Sequence, residues 1–293
     1  MPRVSVVIPT HNRPHLIGRS IKSVLAQIYG DFEIIIVDDG IEERAKNVID
    51  GFGDVRIRYV QNEQSVGGAV SRNIGIKEAC GEFIAFLDDD DEWLPEKLAK
   101  QVKAFDSCDD SVVLVFCGLS KYNKNGELLE VNISDENGVV WPFQKTLYRG
   151  YIWTSTIMLR KKIIEQGIMF DETLKKNQEW DLQLRLLKVG KFYAIKESLV
   201  KLNILAEDEH MGGMQNIDTI TSYFKIFIKK HYADYKKNKK ALAFCYLRLA
   251  NLYKKNNQFT EARKYLFKAW FATPWNLFYF YYAIKLSFKM LVK

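Results

Sequence analysis

The chain has 293 residues, of which 47% are hydrophobic and 27% charged, a balance that excludes a wholly disordered protein. Its four cysteines include no Cys-x-x-Cys pair, which excludes a disulfide scaffold and disfavours a structural zinc site. The net charge of +7 combines an acidic body with a basic tail, residues 214–293, that has 16 Lys and Arg against 3 Asp and Glu.

The body alternates strand-like and helix-like segments. Residues 4–8 form an apolar, β-branched run that predicts a buried strand. We expect no signal peptide before this run, and therefore expect a cytoplasmic protein. Further strands are predicted at residues 32–37, 56–61 and 83–87, with helices between them. This rhythm predicts an α/β fold with a mostly parallel, doubly wound sheet flanked by helices.

Polar residues collect where three of these strands end. The first strand is followed by Thr10-His11-Asn12, the second by Asp38-Asp39, and the fourth by four consecutive aspartates, residues 88–91. Ligands of open α/β sheets bind outside the carboxyl ends of the strands. The three clusters are therefore predicted to converge on one crevice.

The four aspartates carry the strongest single signal. Carboxylates packed this closely repel one another, and Mg²⁺ or Mn²⁺ would compensate them while bridging to phosphate oxygens. The alternative is a solvated acidic turn before the helix that starts near Pro95. Asp38-Asp39-Gly40 similarly predicts either a nucleoside contact or an ordinary turn.

Two further segments offer charged groups. Gly67-Gly68 and Arg72 place a helix N-terminus and a guanidinium where a diphosphate could bind, although close helix packing with a local ion pair is the alternative. Glu179 is a candidate general base, whereas Asp181 has Arg185 as an i,i+4 partner. Both acids could instead only complement the helix dipole.

Together these motifs resemble the family 2 inverting glycosyltransferases, in the family's order and spacing. The resemblance is strong over residues 1–120 and weaker over 150–200. It rests on four segments: residues 4–13 (VSVVIPTHNR), 36–40 (IVDDG), 71–75 (SRNIG) and 86–95 (FLDDDDEWLP). A fifth, residues 177–185 (NQEWDLQLR), is similar to the acidic motif that supplies the base, except that Glu179 stands where Asp is usual.

The resemblance implies a glycosyltransferase A fold that uses a nucleoside-diphosphate sugar, with UDP favoured, and Mn²⁺ or Mg²⁺. The base would be Glu179 or Asp181, and the metal ligands would be Asp88 and Asp90. We add His210, in a polar, glycine-containing stretch, as a possible further metal ligand, although a lone surface histidine usually has no such role. The residues implied around the nucleotide are Pro9, Thr10, Asn12, Asp38, Asp39, Arg72, Asp88 and Asp89.

The tail needs a separate explanation. Residues 241–256 and 258–272 predict two antiparallel helices similar to one tetratricopeptide unit, and residues 275–292 form an aromatic run that is marginal for spanning a bilayer. The lysine excess favours an anionic membrane surface at the inner face of the cell membrane as partner, with packing on its own protein as the alternative. Nucleic acid is a weaker explanation, because no recognition motif accompanies the basic residues.

We therefore predict a nucleotide-sugar half at residues 1–120, an acceptor half at 121–213 and a helical extension at 214–293. The expected reaction moves a sugar to a hydroxyl of a glycan or lipid-linked glycan in cell-surface polysaccharide or glycolipid synthesis. Two alternatives remain at this point. A nucleotidyltransferase would usually show a Gly- and Lys-rich phosphate loop after the first strand, and a non-catalytic adaptor would not need complete acidic motifs.

Overall fold

The computed structural model of the protein describes residues 1–150, 152–204 and 216–291, with side chains through residue 285. The chain divides into two compact units. The first unit, called the sheet unit, comprises Met1–Phe143, Tyr151–Glu172 and Gln178–Gly213. The second, called the helical unit, comprises Gln144–Gly150, Thr173–Asn177 and Met214–Lys293, so it also takes in two short segments from the middle of the chain.

The sheet unit contains ten described strands. They are β1 (Val4–Thr10), β2 (Phe32–Asp38), β3 (Ile57–Gln61), β4 (Phe83–Phe86), β5 (Glu92–Trp93), β6 (Val112–Tyr122), β7 (Leu128–Asn132), β8 (Gly138–Val140), β9 (Ile157–Arg160) and β10 (Lys191–Asn203). Its helices are α1 (Pro14–Leu25), α2 (Lys46–Asp50), α3 (Gly68–Glu78), α4 (Lys97–Asp106), α6 (Lys161–Glu165) and α7 (Gln178–Leu186), while the short α5 (Phe143–Thr146) lies at the unit boundary.

All the described strands belong to one sheet, in the order β3-β2-β1-β4-β9-β6-β10-β5. Outside this order, β7 pairs with β6 and β8 pairs with β10. The first four strands along the chain are parallel, as predicted. The second half is mixed, because β9 enters antiparallel between β4 and β6 while β6 and β10 are parallel. The predicted α/β fold is confirmed, and the mixed half refines the prediction of a mostly parallel sheet.

Helices cover both faces of the sheet because the central strands are apolar on both sides. In β1, Val6 and Ile8 belong to one buried cluster and Val7 to the other. The first cluster includes Ile17 and Ile21 of α1, whose apolar side faces the sheet. The opposite cluster includes residues of α3, α6 and α7. This two-sided burial suits the continuous β-branched runs of the parallel strands.

The helical unit contains α8 (Ile217–Lys230), α9 (Tyr232–Lys237), α10 (Lys239–Lys255), α11 (Phe259–Ala272) and α12 (Leu277–Leu291). Helices α10 and α11 correspond to the predicted helix pair, and Tyr253 stacks on Tyr265 between them with ring centroids 5.4 Å apart. Across the described part of the chain, no helix combines the length and apolarity needed to cross a membrane.

Candidate active site

The carboxyl ends of β1, β2 and β4 meet at one edge of the sheet. Strand β1 pairs in parallel with β2, where Thr10 lies opposite Asp38, and with β4, where Val7 lies opposite Phe86. The four aspartates follow the end of β4 and therefore lie beside the end of β1. The Thr10 hydroxyl donates to the Asp89 carboxylate at 2.7 Å, which brings two of the predicted polar clusters into direct contact.

Two carboxylates of the acidic run remain partly open to solvent. The side chain of Asp88 is 34% exposed and that of Asp90 is 18% exposed. Asp88 accepts a hydrogen bond from Arg72 at 2.6 Å, and Asp90 accepts one from Arg13 at 3.2 Å. Burial raises the pKa of Asp90, and the negative charge of Asp88 raises it further. The two carboxylates therefore repel each other across the open side of the turn.

The other two carboxylates face the protein interior. Asp89 accepts from Thr10 and from Arg13, and Asp91 accepts from the Ser155 hydroxyl at 2.6 Å. Burial raises the pKa of Asp89 to about 7, even though the charge of Arg13 and the hydroxyl of Thr10 lower it. Burial also raises the pKa of Asp91 well above its usual range. These interior contacts hold the turn that presents Asp88 and Asp90.

Asp88 and Asp90 have the chemistry of a partial divalent-cation site. Mg²⁺ and Mn²⁺ prefer hard oxygen ligands, and Mg²⁺ usually takes one or two carboxylates together with substrate phosphates and water. A cation here would offset the repulsion that raises the pKa of Asp90. Within the three described ranges, no group of three or more His, Cys, Asp or Glu side chains is arranged to hold a metal. His210 lies outside those ranges.

Asp38 is bound within the loop that follows β2. Its buried carboxylate accepts from the backbone amides of Gly40 at 2.9 Å and Ala45 at 2.8 Å, and from the Tyr59 hydroxyl at 2.8 Å. The carboxylate is therefore committed to closing residues 38–45 into a fixed loop. A direct contact between Asp38 and a nucleoside stays a prediction.

Asn12 holds the same loop from the end of β1. It adopts a left-handed φ of +51°, a conformation that Asn tolerates better than most residues. Its side-chain oxygen accepts from the amides of Ile41, Glu42 and Glu43 at 2.8 to 3.2 Å. Gly40 is required beside it, because a Cβ there would lie 2.8 Å from the Asn12 nitrogen. The Asp-Asp-Gly motif thus forms a fixed loop beside the ends of β1 and β2.

Asp39 fixes the loop that enters α3. Its buried carboxylate accepts from the Val66 and Gly67 amides at 2.8 and 2.9 Å, and from the side chains of Asn62 and Ser65. Burial alone would raise the pKa of Asp39, but these hydrogen bonds outweigh it and lower the pKa. The Gly67 amide expected to favour a diphosphate is therefore already occupied by Asp39.

Pro9 and Thr10 shape the end of β1 between these loops. Both residues are buried, with Pro9 opposite Val37 in the parallel register. The Thr10 hydroxyl is committed to Asp89. Like Asn12, these residues support the strand end from within, and their contacts with a nucleotide stay predictions.

Arg72 occupies the centre of the site. It extends from α3, is only 9% exposed, and lies 5.6 Å from the Phe170 ring centroid. Its guanidinium donates to Asp88 at 2.6 Å and lies 4.0 Å from a carboxylate oxygen of Glu179. Burial lowers the pKa of Arg72, but the charges of Asp88 and Glu179 outweigh this and raise it. Among the residues that the structure describes, its buried Nε has no hydrogen-bond partner.

Asn73, the next residue, has a structural role that the sequence did not reveal. Its side-chain nitrogen donates to the Phe170 carbonyl and to the Glu172 carboxylate, both at 2.9 Å, and its oxygen accepts from the Phe170 amide at 3.0 Å. Helix α3 is thereby tied to the segment that precedes α7. In the sequence, Asn73 stands beside Arg72 in the segment 71–75, which gives no indication of this contact.

Glu179 and Asp181 lie on opposite sides of α7, because a spacing of two residues corresponds to about 200° around a helix. Glu179 is partly exposed and accepts from the Thr154 hydroxyl at 3.2 Å. Asp181 is fully buried and pairs with Arg185 at 2.6 Å. The structure thus places Glu179 beside Arg72, while Asp181 is engaged in the expected i,i+4 ion pair. Thr154 carried no recognisable signal in the sequence.

Comparison with known proteins identifies the family of the chain. Residues 5–166, more than half of the chain, match the model of glycosyl transferase family 2. The chain is 28% identical over 262 residues to an Escherichia coli UDP-Glc:α-D-GlcNAc-diphosphoundecaprenol β-1,3-glucosyltransferase, covering 81% of this chain and 98% of that relative.

Two solved structures share the fold. Staphylococcus aureus TarS, residues 1–349 in complex with UDP-GlcNAc, superposes with a TM-score of 0.63 and 16% identity over 90% of each chain. A mannosyltransferase from Pyrobaculum calidifontis, in complex with GDP-Man and Mn²⁺, gives a TM-score of 0.58 and 15% identity, covering 92% of this chain and 75% of that one. At this identity the likeness concerns the fold.

The α/β sheet and its likeness to these solved structures show a fold of the glycosyltransferase A type. The chain belongs to glycosyltransferase family 2 and is an enzyme that transfers glycosyl groups. This family membership removes the grounds for the nucleotidyltransferase and adaptor alternatives.

Proposed function

We propose that this enzyme moves a sugar from a nucleoside diphosphate, with UDP favoured, to a hydroxyl group by direct displacement with inversion. The observation that carries the proposal is the position of Arg72 between Asp88, at 2.6 Å, and Glu179, at 4.0 Å. A carboxylate suited to a metal ion (Asp88), a guanidinium suited to a diphosphate (Arg72) and a carboxylate suited to accept a proton (Glu179) thereby lie close together.

Glu179 is the proposed general base. A hydroxyl is a poor nucleophile at neutral pH, and a carboxylate within hydrogen-bond reach can take its proton as the new C–O bond forms. The Thr154 hydroxyl, 3.2 Å away, holds one oxygen of Glu179 and leaves the second for an acceptor. This contact would orient the longer side chain of Glu where Asp is usual.

Arg72 and the two open aspartates are proposed to serve the leaving group. A departing nucleoside diphosphate gains negative charge, which the buried Arg72 guanidinium stabilises in a site with little competing water. Asp88 and Asp90 would hold Mn²⁺ or Mg²⁺, with Asp90 the more direct ligand. When bound, such an ion supplies positive charge to the diphosphate oxygens. Direct displacement of this kind needs one base and inverts the anomeric centre.

The acceptor is proposed to be a glycan or a lipid-linked glycan in cell-envelope synthesis. Support comes from the Escherichia coli relative, whose name specifies an acceptor attached to diphosphoundecaprenol. We assign donor binding to residues 1–120 and acceptor binding to 121–213. We also propose that the enzyme works at the cytoplasmic face of the membrane, with the basic helical extension, residues 214–293, on the membrane side.

A thermal-shift screen of nucleotide sugars with Mn²⁺ or Mg²⁺ tests the proposal. A donor that binds the folded state raises the melting temperature by mass action. We expect a UDP-sugar with metal to raise Tm of the wild type, and the Asp90→Ala variant to lose that shift. The same variant should lose transfer by at least about 100-fold, the scale of losing a dominant electrostatic contact.

Asp50→Ala is a matched control, because Asp50 is an exposed carboxylate that pairs with Lys46 on the surface. It should keep both the metal-dependent shift and transfer. Equal shifts in the wild type and the Asp90 variant would overturn the donor site proposed here. A thermal shift with a GDP-sugar but with no UDP-sugar would mean that the donor carries GDP, while the proposed reaction would stand.

A further inference from the structure

The helical unit contains a concave surface pocket of about 620 Å³, within the usual range for a small-molecule site. Helices α8 to α11 enclose it. Its cationic edge consists of Lys225 and Lys229 on α8 and Lys268 on α11. Its remaining walls are aromatic and aliphatic: Tyr232, Tyr246, Tyr265, Ile226, Ile228 and Leu249, with Ser222.

The three lysines give this pocket a positive charge that its other described lining residues do not neutralise. None of those residues is acidic. Lys225 and Lys229 are four residues apart and therefore share one side of α8. The Lys268 ammonium lies 4.8 Å from the ring centroid of Tyr265 and 5.9 Å from that of Tyr246. The pocket thus fits a compact anion joined to an apolar group.

The helical unit also exposes aromatic side chains at the C-terminal end of α11, just after it and on α12, together called the aromatic patch. It is formed by Phe271, Trp275, Phe278 and Tyr281, which are 57 to 69% exposed. Phe271 is three residues after Lys268 on α11, so the patch begins on the side of the helix that carries the pocket lysine. Phe280 packs against Trp270 of α11 with ring centroids 4.9 Å apart and keeps α12 beside it. Exposed aromatic clusters of this kind mark interaction sites.

We propose that the pocket, called the lysine–tyrosine pocket, binds the phosphate of an anionic phospholipid while the aromatic patch enters the lipid interface. Lysine is a point-charge binder of phosphate, and Trp, Tyr and Phe favour the headgroup level of a bilayer. Clustered lysines together with apolar side chains are the usual composition of a surface that lies on an anionic membrane. This assignment rests on the membrane location proposed above for residues 214–293, while the pocket itself is separate from the sugar-transfer chemistry.

Vesicle flotation of the full chain tests this assignment. Vesicles of phosphatidylcholine are compared with vesicles that also contain phosphatidylglycerol, at near-physiological ionic strength. We expect the protein to bind only the anionic vesicles. The triple variant Lys225→Gln, Lys229→Gln, Lys268→Gln should weaken this binding on the order of 100-fold.

The matched control removes three exposed lysines from the same unit outside the pocket: Lys236→Gln, Lys240→Gln, Lys255→Gln. It has the same net charge as the pocket variant, and we expect it to retain most of the affinity. Melting curves of both variants confirm folding, and the donor-dependent thermal shift should persist in both. Equal losses of vesicle affinity in the two triple variants would show that only the total charge matters, and would contradict phosphate binding by the lysine–tyrosine pocket.

A second arm separates a membrane lipid from a soluble phosphate. Trp275→Ser with Phe278→Ser should lower vesicle binding while leaving the three lysines in place. Inorganic phosphate or pyrophosphate, added against a salt of matched ionic strength, should not displace the wild type. If either anion releases the protein, or if wild type does not float with anionic vesicles, the membrane assignment is wrong. Glu179→Gln should float like the wild type.

Discussion

Arg72 and Glu179 lie 107 positions apart in the sequence, yet a guanidinium nitrogen of Arg72 is 4.0 Å from a carboxylate oxygen of Glu179. The same guanidinium donates to Asp88 at 2.6 Å. One buried cation therefore connects the acidic run after β4 with the acidic helix α7. This connection places two acidic groups from distant parts of the chain around one guanidinium.

Arg72→Met should lower kcat/KM at least about 100-fold, because it removes the fixed cation proposed to face the leaving diphosphate. Steady-state transfer assays measure the loss. Arg72→Lys should recover part of it, since the charge returns without the forked donor geometry. Arg56→Met, which alters an arginine paired with Asp54 on the surface, serves as control and should keep normal transfer. Normal turnover in Arg72→Met would contradict the proposed role.

Glu179→Gln should lower kcat about 100-fold or more while donor binding persists, because the amide cannot take a proton from the acceptor. Transfer rates and the donor-dependent thermal shift together measure this separation. Glu165→Gln, which changes an exposed carboxylate on α6, should leave both quantities unchanged. Near-normal turnover in Glu179→Gln would exclude Glu179 as the base and leave Asp181 as the candidate.

Asp181→Asn should act mainly on folding. Asp181 is fully buried and paired with Arg185 at 2.6 Å, and breaking a buried pair costs about 3 kcal/mol or more. Chemical denaturation should show this loss, while the folded fraction keeps a normal kcat. The reverse result, unchanged stability with abolished transfer, would identify Asp181 as the base.

Lys97→Met should change how stability depends on pH. Lys97 is fully buried, with its ammonium 3.7 Å from the Trp93 ring centroid and hydrogen-bonded to Gln101, and burial lowers its pKa to about 7. The unfolded chain therefore binds more protons than the native state between about pH 7 and the ordinary lysine pKa, 10.5. Native stability consequently rises with pH in this window and falls as pH decreases towards 7.

Urea denaturation between neutral pH and about pH 9.5 measures this effect. Relative to Lys97→Met, the wild type should gain up to about 1.4 kcal/mol of unfolding free energy per pH unit, the slope for one proton. Below pH 7 the difference should level off, since both states of the wild type then hold the proton. Parallel pH profiles for the two proteins would show that Lys97 keeps an ordinary lysine pKa in the native state.

The sequence by itself determined the fold class and the edge where the site lies. Apolar, β-branched runs can satisfy both faces of a buried parallel strand, and amphipathic helices between them require a sheet covered on both sides. Once β1, β2 and β4 are parallel neighbours, Thr10, Asp38 and Asp88 must approach the same edge. Such local patterns suffice because they depend on neighbouring residues alone.

Only the tertiary structure decided which polar groups remain available. The sequence shows four equivalent aspartates, but long-range contacts turn Asp89 towards Thr10 and Asp91 towards Ser155, leaving Asp88 and Asp90 open. The antiparallel entry of β9 between β4 and β6 was equally inaccessible, since strand order depends on distant pairing. Side-chain orientation is set by partners remote in the chain, and local periodicity carries no information about them.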